Sequence, residues 1–267
     1  MKINEIESPT NGLLKKIRAL HQRDSREETR TFLIEGPKAV QEAFNKGLKV
    51  REVVVTRTFL AEGTDVLSEL DIPYASAVED KLFKDLVTTT TPPGILAIAE
   101  MPAYSQADLF RGSKPLIVIA EAVQDPGNLG TMIRTSLEAS VSGMILTKGT
   151  VDPYNPKVVR AATGALFAMP MIWGLTYAEA VQLCHEHGAR VVACEPTADK
   201  LVFEADLQGP VAFVFGNEGN GFSDADLSLA DDLISIPMNP QSESLNVAIS
   251  AGIILFTAVQ QRIKALG

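Results

Sequence analysis

Short runs of continuous apolar residues alternate along this chain with longer stretches whose hydrophobic positions recur at helical spacing. In the first hundred residues, 13–23 reads as a helix, TFLIEG as a strand and turn, and PKAVQEAFNKG as a helix closed by Gly47. REVVVT is a strand, 60–70 looks helical, Pro73, Tyr74 and Ala75 are extended, 79–87 is helical, and ILAIAE closes the block as a further strand. This order predicts a small α/β domain. Residues 101–115, MPAYSQADLFRGSKP, carry two prolines and weak periodicity, which places a boundary there. The expected division is residues 1–104, a linker at 105–114, and a second domain over 115–267.

The second block runs PLIVIAEAV, NLGTMIRTSLEAS, GMILT, PKVVRAATGALF, MPMIW, TYAEAVQLCHEHG, RVVACE, VAFVFG, LISIPM and LNVAISAGIILFTAVQQRIKAL. Strands this short and this apolar are expected to be buried on both faces, as in a parallel sheet covered by helices. In such sheets ligands bind beyond the carboxyl ends of the strands. No internal repeat, heptad run or low-complexity tract interrupts the pattern.

Composition adds exclusions. With 267 residues, 46% hydrophobic and 21% charged, the chain is of ordinary globular composition. The most apolar stretch, 245–259, is interrupted by Asn246 and Ser250 and falls short of the ~20 residues of a membrane span. The amino terminus MKINEIESPTNG lacks the apolar core of a secretory signal, so a cytoplasmic location is expected. Two cysteines without CxxC spacing and three histidines offer no zinc site, and no metal is expected.

A formal charge of −9 argues against a nucleic-acid partner until its distribution is considered. Twelve of the 24 basic residues lie before residue 58, where the balance is +4. Lys15, Lys16, Arg18, Arg23, Arg26 and Arg30 face only Asp24, Glu27 and Glu28 there. This segment is either a solvated helix face with i,i+4 pairs or an RNA-contacting patch.

Three loops after three strands carry unusual residues. In DPGNLGTMIRT a proline-glycine turn opens a helix on which Arg134 lies six residues after Asn128. In FGNEGNGFS, Gly216, Gly219 and Gly221 surround Glu218; the spacing is neither the dinucleotide fingerprint nor a P-loop. In IPMNPQSESLNVA, Ser242 or Ser244 could cap the final helix, and Asn246, near the start of an apolar element, must find partners. Each loop alone is also compatible with an ordinary turn.

Together, N-x-G-x-x-x-R, F-G-N-E-G-x-G and I-P-M-x-x-x-x-S-x-N-V-A-x-A resemble the three motifs of the SpoU/TrmH family of RNA ribose methyltransferases. VDPYNPKVVRAATGALF is similar to the segment between the first two motifs. KIRALHQRDSREETRTFLIEGPKAVQEA is similar to the ribosomal-protein-like substrate-binding domain of the family's ribosomal-RNA members. The resemblance implies an α/β fold: a carboxyl-terminal trefoil-knot domain with a mostly parallel sheet, preceded by a small α/β/α RNA-binding domain. It also implies a homodimer formed through the carboxyl-terminal domain, S-adenosylmethionine as methyl donor, and transfer to a ribose 2′-hydroxyl. On this resemblance Thr147, Gly216, Asn217, Glu218, Ile236, Met238, Ser244 and Leu245 surround the cofactor. Arg134 takes the catalytic position, with Asn128 or Asn246 and Ser244 holding the ribose and its phosphate, and Glu218 is mainly structural. A free guanidinium stays protonated below pH ~12, so an electrostatic role for Arg134 on phosphate and developing alkoxide stands beside a literal base. Lys157 and Arg160 either bind RNA phosphates or form a solvated helix edge. Structured RNA, with large-subunit ribosomal RNA favoured, is the implied substrate; transfer RNA and a catalytically silent RNA-binding role are the alternatives.

Overall fold

The computed structural model describes residues 2–62, 67, 70, 72–239, 241 and 244–265. Its tertiary contacts divide the chain into two compact units, one formed by Met1–Ala103 with Asp152–Phe167, the other by Tyr104–Val151 with Ala168–Gly267.

The first unit has a five-stranded sheet of β1 (Lys2–Ile6), β2 (Thr31–Glu35), β3 (Val50–Thr56), β4 (Tyr74–Val78) and β5 (Ile95–Glu100), in the order β1-β4-β3-β5-β2. β5 is antiparallel to β2 and β3, and the remaining pairs are parallel. Strand β1 is an addition to the sequence reading. Only Ile6 of it is buried, so an edge strand of this kind leaves almost no hydrophobic signal. The helix expected over 13–23 stops at Ala19, and a second helix, Arg23–Thr29, follows. The sole buried residue of that second helix is Arg26, so no apolar stripe announced it. Of the helix expected over 60–70, Arg57–Ala61 covers the start, and most of the rest lies outside the described residues.

Leu14 and Ile17 pack with Leu33, Val54, Phe83 and Leu96 in the core of this unit. The Phe32 ring meets Tyr154 at 4.7 Å and Phe167 at 6.2 Å, so Asp152–Phe167 is part of the same packing. The helix expected over PKVVRAATGALF is shorter, Pro156–Ala161. Thr163 and Gly164 adopt positive φ (48° and 82°), and a 3-10 turn, Ala165–Phe167, follows. A Cβ on Gly164 would meet Glu42 Cγ at 2.5 Å, which combines with the left-handed backbone to select glycine.

Arg26 departs from the expected surface patch. It is 2% exposed, with Nε 2.9 Å from Asp152 Oδ2, Nη2 on the same oxygen, and Nη1 donating to Leu20 O at 2.8 Å. A guanidinium buried among fixed acceptors is an internal brace rather than an RNA contact.

The second unit contains β6 (Leu116–Ala120), β7 (Gly143–Thr147), β8 (Met171–Leu175), β9 (Arg190–Cys194), β10 (Val211–Phe215) and β11 (Asp232–Ile234). Every pair is parallel, in the order β11-β9-β10-β6-β7-β8. The expected mixed α/β class with a mainly parallel sheet is therefore observed. The stretch 105–114 contains the helix Gln106–Leu109, capped by Ser105 and Asp108, and Leu109 is fully buried with Ile117, Ile145 and Val214. The histidines are also partnered: His21 with Leu86 O, His185 with Asp231, and His187 with Leu183 O and the Phe110 ring.

Removing one partner of a buried ion pair strands the other charge, so Arg26→Ala is expected to destabilise folding by about 3 kcal/mol or more. The exposed pair of Arg23 with Glu27 should contribute under about 1 kcal/mol, and Arg23→Ala serves as the comparison. Equal shifts in urea denaturation of the two variants would remove the distinction between brace and surface cation.

Candidate active site

The chain leaves β6 towards β7 and β8 on one side, then returns to place β9 and β10 on the other. The crevice between β6 and β10 is thus a topological switch point, where parallel sheets bind ligands. Two of the three loops begin there. After β6, Ala122 turns with φ 50°, and Asp125 caps the helix Pro126–Glu138 by accepting from Asn128 N at 2.8 Å. After β10, Asn217 Oδ1 accepts from the backbone N–H groups of Gly219 (2.9 Å) and Asn220 (3.0 Å), while its Nδ2 donates to Ala122 O at 2.8 Å. One asparagine thereby shapes the glycine loop and ties it to the loop after β6.

Glu218 completes the tie. Oε2 accepts from Gln124 N at 3.1 Å, and Oε1 from Asp125 N at 3.2 Å and Asn128 Nδ2 at 3.0 Å. Asn128 Oδ1 in turn accepts from Asn246 Nδ2 at 2.8 Å, and Asn246 Oδ1 caps the final helix, Val247–Lys264, through the N–H groups of Ala248 and Ile249. The polarity of this ladder follows from its ends. An ionised carboxylate only accepts, so Asn128 turns its NH2 to Glu218 and its oxygen to Asn246, whose own oxygen is taken by the helix. Partial burial disfavours the Glu218 charge, but the hydrogen bonds from Asn128 and from backbone N–H groups outweigh it and hold the carboxyl below its ordinary range.

The loops enclose a cleft of about 500 Å³. Of the residues expected around a cofactor, Gly216, Asn217, Glu218, Ile236, Met238, Ser244 and Leu245 line it, together with Asn128 and Asn246. Thr147 does not: it is buried beneath the end of β6, accepting from Ala122 N at 3.1 Å and donating to Ala120 O at 3.3 Å. Arg134 lies outside the cleft lining, exposed on the helix Pro126–Glu138, about 9 Å along its axis from Asn128. Its side chain makes no hydrogen bond or ion pair among the described residues. Ser242 lies outside them. Cys194, Glu195, Pro196 and Phe222 also line the cleft. The first three of these follow or end β9, where the residue types CEPTAD give no signal in the sequence.

The cationic candidates separate by placement. Lys15, Arg23, Arg30 and Lys157 are exposed, and Lys16 is half-buried. Arg18 donates to Pro9 O at 2.9 Å, and Arg160 donates to Thr88 Oγ1 at 2.6 Å with Glu35 3.6 Å away.

A carboxyl whose folded pKa is depressed contributes stability that is present above its unfolded value, about 4.3, and is lost as pH falls through the folded value. The difference in melting temperature between the wild type and Glu218→Gln should therefore be full at neutral pH and shrink below pH about 4. A difference independent of pH would mean that Glu218 acts by packing and not by charge.

Residues 115–256 match the SpoU rRNA Methylase family, and residues 11–97 match the MRM3-like substrate binding domain. A 23S rRNA guanosine 2′-O-methyltransferase of Bacillus subtilis is 33% identical over 255 residues, covering 95% of this chain and 98% of the relative. A 23S rRNA uridine 2′-O-methyltransferase of Streptomyces viridochromogenes is 30% identical, covering 92% and 88%. The crystal structure of the SpoU methyltransferase AviRb from that organism, in complex with AdoMet, has a TM-score of 0.86 at 30% identity and covers 95% of this chain and 98% of its own. An AdoMet-bound rRNA methyltransferase of Sinorhizobium meliloti has a TM-score of 0.83 at 32% identity, with 97% and 98% coverage. With the three loop motifs converging on one cleft and the match extending over both units, this chain belongs to the SpoU rRNA methylase family.

Proposed function

We infer that the protein is an S-adenosylmethionine-dependent RNA 2′-O-ribose methyltransferase acting on large-subunit ribosomal RNA. The observation that carries this reading is the Glu218–Asn128–Asn246 ladder, which brings three motif loops to one cleft at the switch point. The ribosomal substrate is supported by relatives that act on 23S rRNA and align over both units.

The cleft suits the methyl donor. Its volume lies within the ~300–1,000 Å³ usual for small-molecule sites, and its lining joins apolar Ile236, Met238 and Leu245 to backbone and amide groups. A Cβ on Gly216 would come 3.0 Å from the Phe222 ring, so a side chain there would displace one wall of the cleft. When bound, S-adenosylmethionine supplies a methyl on a sulfonium, and transfer breaks S–CH3, forms O–CH3, leaves a neutral thioether and releases the hydroxyl proton.

Asn128 and Asn246 each retain one side-chain N–H beyond the ladder, and with Ser244 these can hold the ribose. Glu218 is a poor general base, because its depressed pKa and three donors leave little affinity for a further proton. Arg134 acts on the phosphate beside the target ribose and stabilises negative charge developing on the attacking oxygen, while solvent or a phosphate oxygen accepts the proton.

The final helix leaves Ile249, Phe256 and Ile263 exposed at 54%, 48% and 64%, spaced by seven residues along one face. A second copy of the chain is the proposed cover for that stripe. Among the described residues no helix is long and apolar enough to cross a membrane, and no cluster of three or more metal-ligating side chains occurs. Cys184 and Cys194 are both free, as suits the reducing cytoplasm proposed as the location.

Arg134→Ala should lower single-turnover methyl transfer at least ~100-fold while cofactor affinity by calorimetry stays within about twofold; retained turnover would remove Arg134 from the chemistry. Replacing Lys15, Arg23 and Arg30 with Ala should weaken RNA affinity and reduce its salt slope by about one unit per lost phosphate contact. An unchanged slope in filter binding would return these cations to the role of a solvated surface.

A further inference from the structure

Besides the motif loops, the cleft has a wall at the carboxyl end of β9, where Glu195 stands. Its backbone is held on both sides: Glu195 N donates to Ile234 O at 2.9 Å, and Glu195 O accepts from Ala198 N at 3.1 Å, closing a turn with Pro196 at its second position. The side chain is held as well. Oε1 accepts from Thr197 Oγ1 at 3.0 Å and Thr197 N at 3.4 Å, while Oε2 has no hydrogen-bond or ion-pair partner among the described residues. Glu195 is thus a half-buried carboxylate, oriented by its own turn and without a neutralising cation. Among the described residues, the only other charged residue lining the cleft is Glu218, also acidic, and no Lys, Arg or His lines it.

An uncompensated negative cleft selects ligands by charge. The methyl donor and its demethylated thioether product share the adenosine, the α-ammonium and the carboxylate, and differ at sulfur, which is a sulfonium in one and neutral in the other. Resting on the methyl-donor reading above, we propose that Glu195 is a specificity-determining residue that favours the sulfonium substrate over the thioether product. Product affinity then stays low relative to substrate affinity, and turnover is less hindered by accumulated thioether. The charge acts through space in a partly hydrated cleft, so a contribution of about fivefold in affinity is expected rather than orders of magnitude.

The test is calorimetric titration of the full chain with S-adenosylmethionine and, separately, S-adenosylhomocysteine. It compares the wild type, Glu195→Gln, Glu195→Asp, and Glu186→Gln as a matched change of net charge away from the cleft. Glu195→Gln keeps the size and the acceptor for Thr197, and folding is checked by its melting temperature. The expected result is S-adenosylmethionine binding about fivefold weaker in Glu195→Gln, with S-adenosylhomocysteine within twofold of wild type. Glu195→Asp should restore most of the discrimination, and Glu186→Gln should leave both affinities unchanged. Parallel weakening of both ligands would overturn the proposal, because it would mean that Glu195 contacts the shared ammonium or merely shapes the wall. Unchanged affinities, or an equal effect from Glu186→Gln, would overturn it too. A wild type that binds neither ligand would overturn the cofactor reading itself, a failure visible before any variant is compared.

Discussion

Three loops from separate parts of the second unit can meet at one cleft only if something fixes their mutual positions, and here that is the Glu218 carboxylate. It gathers two consecutive backbone N–H groups and the Asn128 amide, and through Asn128 it reaches the cap of the final helix. Because a carboxylate accepts and never donates when ionised, every amide in the ladder has one permitted orientation. A glutamine at the same position would turn one NH2 towards groups that are themselves donors, leaving an unsatisfied pair where the fold now has a satisfied one. The geometry of the cleft therefore depends on Glu218 as a clamp between its loops.

The first unit depends on a charge of the opposite sign. Arg26 is buried against Asp152, so Asp152–Phe167, which lies far away in the chain, is tied to the helix Arg23–Thr29. The tie lowers the number of cations available for a polyanion. Arg18 and Arg160 are half-buried and donate to Pro9 O and Thr88 Oγ1, while Lys15, Arg23, Arg30 and Lys157 are exposed, Arg23 in an ion pair with Glu27. For the proposed RNA-binding role, a chain of net charge −9 favours recognition that draws on surface shape and a few placed cations more than on bulk attraction.

The elements of the second unit were legible because its strands are short, apolar and separated by well-capped helices; Asp125 and Thr176 cap as their residue types suggest. The motif loops were legible because their residue types are unusual for turns. What stayed hidden has physical reasons. Strand β1 buries one side chain, and the helix Arg23–Thr29 buries only an arginine, so neither produces a hydrophobic period. The end of the helix at Ala161 depends on the left-handed turn at Thr163 and Gly164, where Glu42 closes off the space, a constraint set by packing across more than a hundred residues. Thr147 has the right position in sequence for a cleft residue, yet its hydroxyl serves the backbone of the turn after β6 instead. The wall at the end of β9 was missed because nothing in CEPTAD is unusual until its place beside the cleft is known.

A transfer from a sulfonium to a nucleic acid must bring a cation and a polyanion to the same point, and a site uniformly of either sign would repel one of them. The second unit meets this by separation: acidic Glu195 and Glu218 line the cleft, while Arg134 lies outside its lining and about 9 Å along the helix from Asn128. Asn128, in the first turn of that helix, and Asn246, the cap of the final helix, are neutral and line the cleft beside Glu218. The hydroxyl that must lose a proton would thus sit where neutral amides hold it, with negative charge on the donor side and positive charge on the phosphate side. On the proposed reading, no single group has to attract both substrates.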